Sequence, residues 1–314
     1  MARDLLLCFP DEADFGHRLA HSAGMAVAVV ERHPFPDGEI KLRLPAALPA
    51  RVVILRSLHQ PNDKLIELLL TARTARLLGA RHVALVAPYL AYMRQDIAFQ
   101  PGEAISQRIV GQFIAELFDT VITIDPHLHR IKTLHEAVPV ECPVVLSAAP
   151  LLAEFVAGHR INPVLIGPDE ESAQWIELAA TRHGFDHAVC QKTRQGDHQV
   201  TVSLPPLAVR DRHVVLLDDI ASTGHTAAQT ARLLLAAGAA SVDVAVTHAL
   251  FAGNALVVMR EAGVQHIWST DCVQHSSNAL SVVPLISHTL QKLVSDSPSP
   301  SENQKSNRPA ITPK

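Results

Sequence analysis

Three things are scarce in this chain, and each closes off a class of function. The 314 residues include only four cysteines. Cys8, Cys142, Cys190 and Cys272 are too scattered for a paired metal motif or a disulfide framework. They read as buried free thiols of a reducing compartment, so the cytoplasm is the expected location. No apolar run approaches the length of a membrane span, and the opening MARDLLLCFP lacks a signal peptide's layout. A basic excess is missing too: the net charge is −4 with histidines neutral, which leaves no electrostatic footprint for nucleic acid. With 48% hydrophobic and 18% charged residues, the chain reads as a well-cored soluble protein long enough for two domains. Its 18 histidines do not cluster, apart from His127 and His129.

The stretch around which the rest is organised is His213–Thr226, HVVLLDDIASTGHT. Val214–Leu217 reads as a strand buried on both faces, the kind found in parallel sheets. Asp218 and Asp219 follow it, then a Ser-Thr-Gly turn, then an Ala- and Leu-rich helix over Thr226–Ala237. Free N–H groups in such a loop and the positive end of its helix favour phosphate. Gly224 lets backbone approach the ligand, while Ser222, Thr223 and Thr226 add hydroxyl donors. The two aspartates would repel phosphate, so they are expected to face a sugar diol or a divalent cation. Together these features describe a sugar-phosphate site, and they resemble the signature of proteins that bind ribose 5-phosphate or phosphoribosyl pyrophosphate.

Read from the N-terminus, the chain begins with a strand near 3–9, a helix over Asp11–Gly24 and a strand at Ala26–Val30. A loop shaped by Pro34, Pro36 and Gly38 comes next. Its Phe35, Asp37 and Glu39 offer one aromatic face and two acceptors, which suits a purine as well as a plain polar hairpin. Arg51–Arg56 is a second buried-type strand. A helix from Pro61 to Leu78 follows, with Asn62 or Asp63 near its cap, and then a strand at Val83–Ala87. An internal echo appears here. Arg51-Val52-Val53-Ile54-Leu55-Arg56-Ser57 parallels the residues His213–Asp219, and Gly79-Ala80 parallels Gly238-Ala239. Both halves run strand, loop, helix, Gly-Ala turn, strand, which points to two related α/β domains. Arg56 and Ser57 stand where the second copy has its acids, so the first copy is expected to have a different duty.

Other candidate groups lie beyond strand ends, where α/β folds bind ligands. Arg94 and Gln95 suit a polyphosphate and a ribose or base. Asp125, His127 and His129 follow a strand at Val121–Ile124 and suit a cation, a phosphate or simply a capped turn. Pro139–Pro143 reads as an extended connection to the second half. Val164–Ile166 is a strand closing on Gly167-Pro168-Asp169, with a helix over Ser172–Arg182. Lys192 and Arg194, beside Gly196, form a basic loop that reads as a lid over a polyphosphate or as a solvated hairpin. From Ser295 the chain loses its apolar period and reads as a disordered tail over 295–314.

Taken in order, Phe-Pro-Asp-Gly-Glu (35–39), Tyr-Met-Arg-Gln-Asp (92–96), Pro-Gly-Glu-Ala-Ile-Ser (101–106), Asp-Pro-His (125–127), Gly-Pro-Asp (167–169), Lys-Thr-Arg (192–194) and the 218–226 loop resemble the ribose-phosphate diphosphokinases, and their archaeal-type branch in particular. The resemblance implies an α/β fold of two related phosphoribosyltransferase-like domains, each a mainly parallel sheet flanked by helices, over 1–145 and 146–290. It implies transfer of the pyrophosphoryl group of ATP to ribose 5-phosphate, with Mg2+ as cofactor and a homo-oligomer whose ATP site lies near a subunit interface. It carries Phe35, Asp37, Glu39, Arg94, Gln95 and Asp96 over to ATP. Asp218, Asp219, Ser222, Thr223, Gly224, His225 and Thr226 go to ribose 5-phosphate, His127 and Asp169 to the metal, and Lys192, Arg194 and His127 to catalysis. Three places depart from the pattern. Glu170, Glu171 and Ser172 follow Asp169 where the family commonly has glycines, Ile97 and Ala98 replace basic residues, and Pro126 replaces an apolar one. Two rival readings share these motifs: a phosphoribosyltransferase, which would not need the first half's motifs, and a non-catalytic regulatory homologue, which would bind both ligands without turnover.

Overall fold

The computed structural model describes residues 4–195 and 199–295, without the side chains of 192–201, 294 and 295. The expected tail beyond Ser295 therefore lies outside the described residues. Two parallel sheets carry the architecture. The first has the strands β1 (Leu5–Cys8), β2 (Ala26–Val29), β5 (Arg51–Leu55), β6 (His82–Ala87), β7 (Thr120–Ile124) and β8 (Cys142–Leu146) in the order β2-β1-β5-β6-β7-β8. Between β2 and β5 a hairpin stands off the sheet, formed by β3 (Glu31–Pro34) and β4 (Ile40–Arg43).

The second sheet repeats this plan. Its strands β9 (Val164–Gly167), β10 (Asp186–Val189), β13 (His213–Ala221), β14 (Ser241–Ala249), β15 (Val264–Thr270) and β16 (Asn278–Leu280) run β10-β9-β13-β14-β15-β16. Again a hairpin, β11 (Gln191–Gln195) with β12 (Gln199–Ser203), is inserted between the second and third strands. The echo seen in the sequence is thus a duplication of the whole topology, and the Phe35–Glu39 turn and the Lys192–Arg194 strand belong to equivalent hairpins in it.

The apolar strands are continuous rather than alternating because both faces of each sheet are covered. In the first sheet Leu5, Leu7, Val52 and Ile54 go to one core, while Leu6, Cys8, Val53 and Leu55 go to the other, as the two-residue period of a strand requires. The helices α1 (Ala13–Ala23), α2 (Pro61–Leu77), α3 (Ser106–Ala115) and α4 (Leu134–Ala137) flank it. Around the second sheet lie α5 (Ala149–His159), α6 (Ala173–Thr181), α7 (His225–Ala236) and α8 (Ala255–Glu261). The last helix, α9 (Val283–Ser295), crosses back to the first sheet. Val283, Ile286 and Leu290 share a core with Leu19 and Ala20 of α1, and Gln291 donates to the Ser22 carbonyl at 3.0 Å.

Three local expectations change. The segment read as a connection, Pro139–Pro143, runs at its end into the edge strand β8, which accommodates Pro143 because an edge leaves one side of the backbone unpaired. Neither Asn62 nor Asp63 caps α2; Gln60 takes the cap position in a left-handed conformation and Pro61 opens the helix, where a missing N–H does no harm. Finally, β13 does not stop at Leu217 but runs through both aspartates to Ala221.

Candidate active site

At the carboxyl end of β13, Asp218 is half-buried and Asp219 is almost fully so, at 2% exposure. The Asp219 N–H donates to the Asp218 carboxylate at 3.0 Å. Burial raises the pKa of Asp218 well above the ordinary carboxylate range, and the neighbouring charge of Asp219 adds to it. Burial also pushes Asp219 up to about 7. Two acids so placed resist ionising together, and a cation beside them favours their charged form. The chain then turns through Ser222 and Thr223 to Gly224, whose φ of 74° is left-handed. A Cβ there would also stand 3.0 Å from the Ala255 carbonyl oxygen, so glycine is required twice over. Helix α7 starts at His225 with no side-chain cap and no acid in its first turn. Its leading N–H groups are thus left for an anion, and the helix dipole favours one.

The opposite wall comes from the first sheet. Asp125 follows β7 in a strained backbone conformation, φ 38°, and it ties the two halves together. Its carboxylate accepts from the Trp175 Nε1–H at 3.1 Å, the Thr247 hydroxyl at 2.8 Å and the Ala148 N–H at 2.9 Å. His248 donates from Nε2 to the Ile124 carbonyl at 2.9 Å. Of the readings open for Asp125, the buried turn is the one observed; this acid does not reach the cleft as a ligand. Two residues on, His127 does. Its Nδ1 lies 2.7 Å from Asp219 Oδ2, which ties the two halves across the site. Desolvation lowers the His127 pKa, against the opposing pull of Glu171. The duplication gives this junction a counterpart. Ser57, at the end of β5, donates through its hydroxyl to the Cys272 carbonyl beyond β15 at 2.5 Å.

These elements enclose a cleft of about 770 Å3. It brings together Arg94, His127, Asp169, Asp218, Asp219, Ser222, Thr223, Gly224 and Thr226 from the expected set. His225 is exposed at the head of α7 and does not line it. Gln95 is occupied by the Ser106 hydroxyl at 3.1 Å. Asp96 is buried and accepts from Arg130 at 2.7 Å, locking the 92–96 loop to the segment that carries His127. Asp169 caps a short 3-10 turn, accepting from the Glu171 N–H at 3.2 Å. Phe35, Asp37 and Glu39 do not line this cleft. They sit at the tip of the β3–β4 hairpin, where Glu39 N–H donates to Asp37 at 3.2 Å and Phe35 keeps 40% exposure. Lys192 and Arg194 lie on β11, opposite Val202 and Val200; their side chains are outside the described residues. Sequence reasoning missed Arg130 and Phe99 in the cleft wall and Trp175 behind it. Only the basic residue directly after His129 gave any signal.

Comparison with known proteins adds to this geometry. Residues 5–117 match the N-terminal domain of ribose phosphate pyrophosphokinase, and residues 147–278 match the phosphoribosyl transferase domain. A ribose-phosphate pyrophosphokinase of Methanosarcina acetivorans is 37% identical, over 88% of this chain and 95% of its own. One from Methanopyrus kandleri is 35% identical over 92% and 99%. The solved phosphoribosylpyrophosphate synthetase of Mycobacterium smegmatis has the same fold, with a TM-score of 0.81 at 23% identity, over 94% of this chain and 100% of that one. The fold expected from the sequence, two related parallel-sheet domains, is the one observed.

Proposed function

The chain belongs to the ribose-phosphate pyrophosphokinase family and carries out that reaction, and we propose the division of labour by which its residues do so. The anomeric hydroxyl of ribose 5-phosphate attacks the β-phosphorus of ATP in line. The bond from that phosphorus to the bridging oxygen of AMP breaks, and the hydroxyl proton is released. Catalysis of such a transfer rests on positioning and charge neutralisation. Residues 1–145 supply the ATP contacts and 146–290 the ribose 5-phosphate site in this reading. The N–H groups at the start of α7 with Ser222, Thr223 and Thr226 hold the 5-phosphate, and Asp218 and Asp219 face the ribose hydroxyls and the metal. Arg94 grips the polyphosphate of ATP, with Gln95 and Asp96 fixing its loop. His127 and Asp169 would hold Mg2+, which when bound draws charge off the phosphate oxygens. The donor set fits: hard carboxylate oxygens predominate.

One observation carries this reading: an uncapped, glycine-initiated helix and an acid pair converge on His127 and Arg94 in one cleft. The Phe35–Glu39 hairpin stands off its own chain's cleft, which supports a homo-oligomer in which it serves a neighbour's ATP. Free, mostly buried cysteines support the cytoplasm, and among the described residues no helix is long and apolar enough to cross a membrane. Lys192 and Arg194 close on the transferring group. Steady-state kinetics of Lys192→Ala test this. We expect kcat to fall at least about a hundredfold with KM for ribose 5-phosphate little changed, and a change confined to KM contradicts the role.

A further inference from the structure

Two residues to which the reading above gives no role stand beside His127. His129 presents Nε2 at 3.1 Å from His127 Nε2, and Glu171 places one carboxylate oxygen 3.5 Å from the same nitrogen. The outer nitrogens of both rings are spoken for. His127 Nδ1 lies 2.7 Å from Asp219 Oδ2, and His129 Nδ1 lies 3.1 Å from the other Glu171 oxygen. Each carboxylate thus lies on the Nδ1 side of its ring, which leaves Nε2 turned toward the other ring. Ligand atoms of His127, His129 and Glu171 lie within 4.8 Å of one another, close enough for one cation to take all three as ligands. Ligand atoms around a tetrahedral ion with bonds of about 2.0–2.1 Å lie about 3.3 Å apart, and 3.1 and 3.5 Å bracket that spacing.

We propose that His127, His129 and Glu171 form a site for a divalent transition metal of the Zn2+ type, bridging the first sheet's 125–130 segment to the second sheet's 169–172 turn. Two imidazole nitrogens and one carboxylate select Zn2+, Co2+ or Ni2+ over Mg2+, which prefers oxygen ligands in an octahedral shell. The regulatory consequence rests on the role given to His127 above, whereas the binding does not. An ion held there engages the His127 Nε2 and pins Glu171 over the cleft, so it inhibits the Mg2+-supported reaction.

The test uses the full chain with Mg2+ in excess throughout. Zn2+ is titrated by calorimetry, and Co2+ is titrated by its visible ligand-field absorption. The wild type is expected to bind one equivalent, with the intense absorption of a four-coordinate Co2+ site. His129→Ala and Glu171→Gln are each expected to weaken binding at least about tenfold and to lose that absorption. Both variants should retain Mg2+-supported AMP formation within about twofold and resist inhibition by Zn2+. Absence of binding in the wild type, or equal binding and equal absorption in both variants, overturns the site. Binding with no AMP formed by the wild type would leave the metal site standing and refute the reaction instead.

Discussion

Arg56 stands in the first half where the second half has Asp218, and replacing it by methionine asks what that position is for. The guanidinium is 1% exposed and meets three carboxylates: Asp11 at 2.7 Å, Glu12 at 3.0 Å and Glu67 at 2.5 Å. It also lies over the Phe9 ring, 4.5 Å from the centroid. Methionine keeps the apolar stem over Phe9 and removes only the charge. Glu67 retains Arg32 at 2.6 Å, and Asp11 is partly solvated. Glu12 is left with the Ser57 N–H at 2.8 Å and no cation in contact. One stranded buried carboxylate costs about 3–5 kcal/mol. Burial already raises the Glu12 pKa, against the pull of Arg56, and losing Arg56 raises it further. Between the unfolded value and that raised value the folded state binds more protons than the unfolded one, so stability falls as pH rises through the window. The deficit of the variant is thus largest near neutrality and smallest below the ordinary carboxyl pKa of 4.5. Urea unfolding followed by far-ultraviolet circular dichroism at both ends of that range measures it. Folded Arg56→Met should turn over within about twofold of the wild type, because the position is structural. A deficit under about 1 kcal/mol, a deficit that acid does not shrink, or a folded variant unable to bind ribose 5-phosphate would refute this reasoning.

Two further outcomes follow from buried groups elsewhere. His248 is buried and its pKa is lowered to about 4 from 6.5 by desolvation. The unfolded chain therefore takes up the proton first, and stability, complete above 6.5, is lost as pH falls toward 4. The loss should reach about 3 kcal/mol, and His248→Gln, which keeps a donor toward Ile124, should flatten the acid limb of a stability–pH profile. An unchanged limb would rule His248 out as its source. Gly111→Ala places a Cβ 1.7 Å from the Ala137 carbonyl oxygen, so α3 and α4 must separate. A loss of about 3 kcal/mol or more, read as a lower midpoint in thermal unfolding, is expected, and a midpoint equal to the wild type's would contradict the packing.

Much of this was legible because parallel strands buried on both faces leave unbroken apolar runs, as at Val214–Leu217 and Val52–Leu55. Their echo even disclosed the duplication. What stayed hidden depends on distant partners. Pro143 disguises β8, since an edge strand tolerates what a central one does not. The return of α9 to α1 leaves no local mark, because its apolar face would suit either sheet. At the site, the ribose loop could be read from its glycine, hydroxyls and acids. The fate of Asp125 could not, because an acid that pins two domains through Trp175 and Thr247 looks in sequence like an acid that binds a cation. The side chains of Lys192 and Arg194 remain known by motif and by their place on β11 alone.

The most direct test of the central claim is AMP release by the purified chain supplied with ATP and Mg2+, with and without ribose 5-phosphate. The account predicts AMP formation that requires ribose 5-phosphate and is accompanied, mole for mole, by phosphoribosyl pyrophosphate. ADP in place of AMP, or both ligands bound with no turnover, would contradict it.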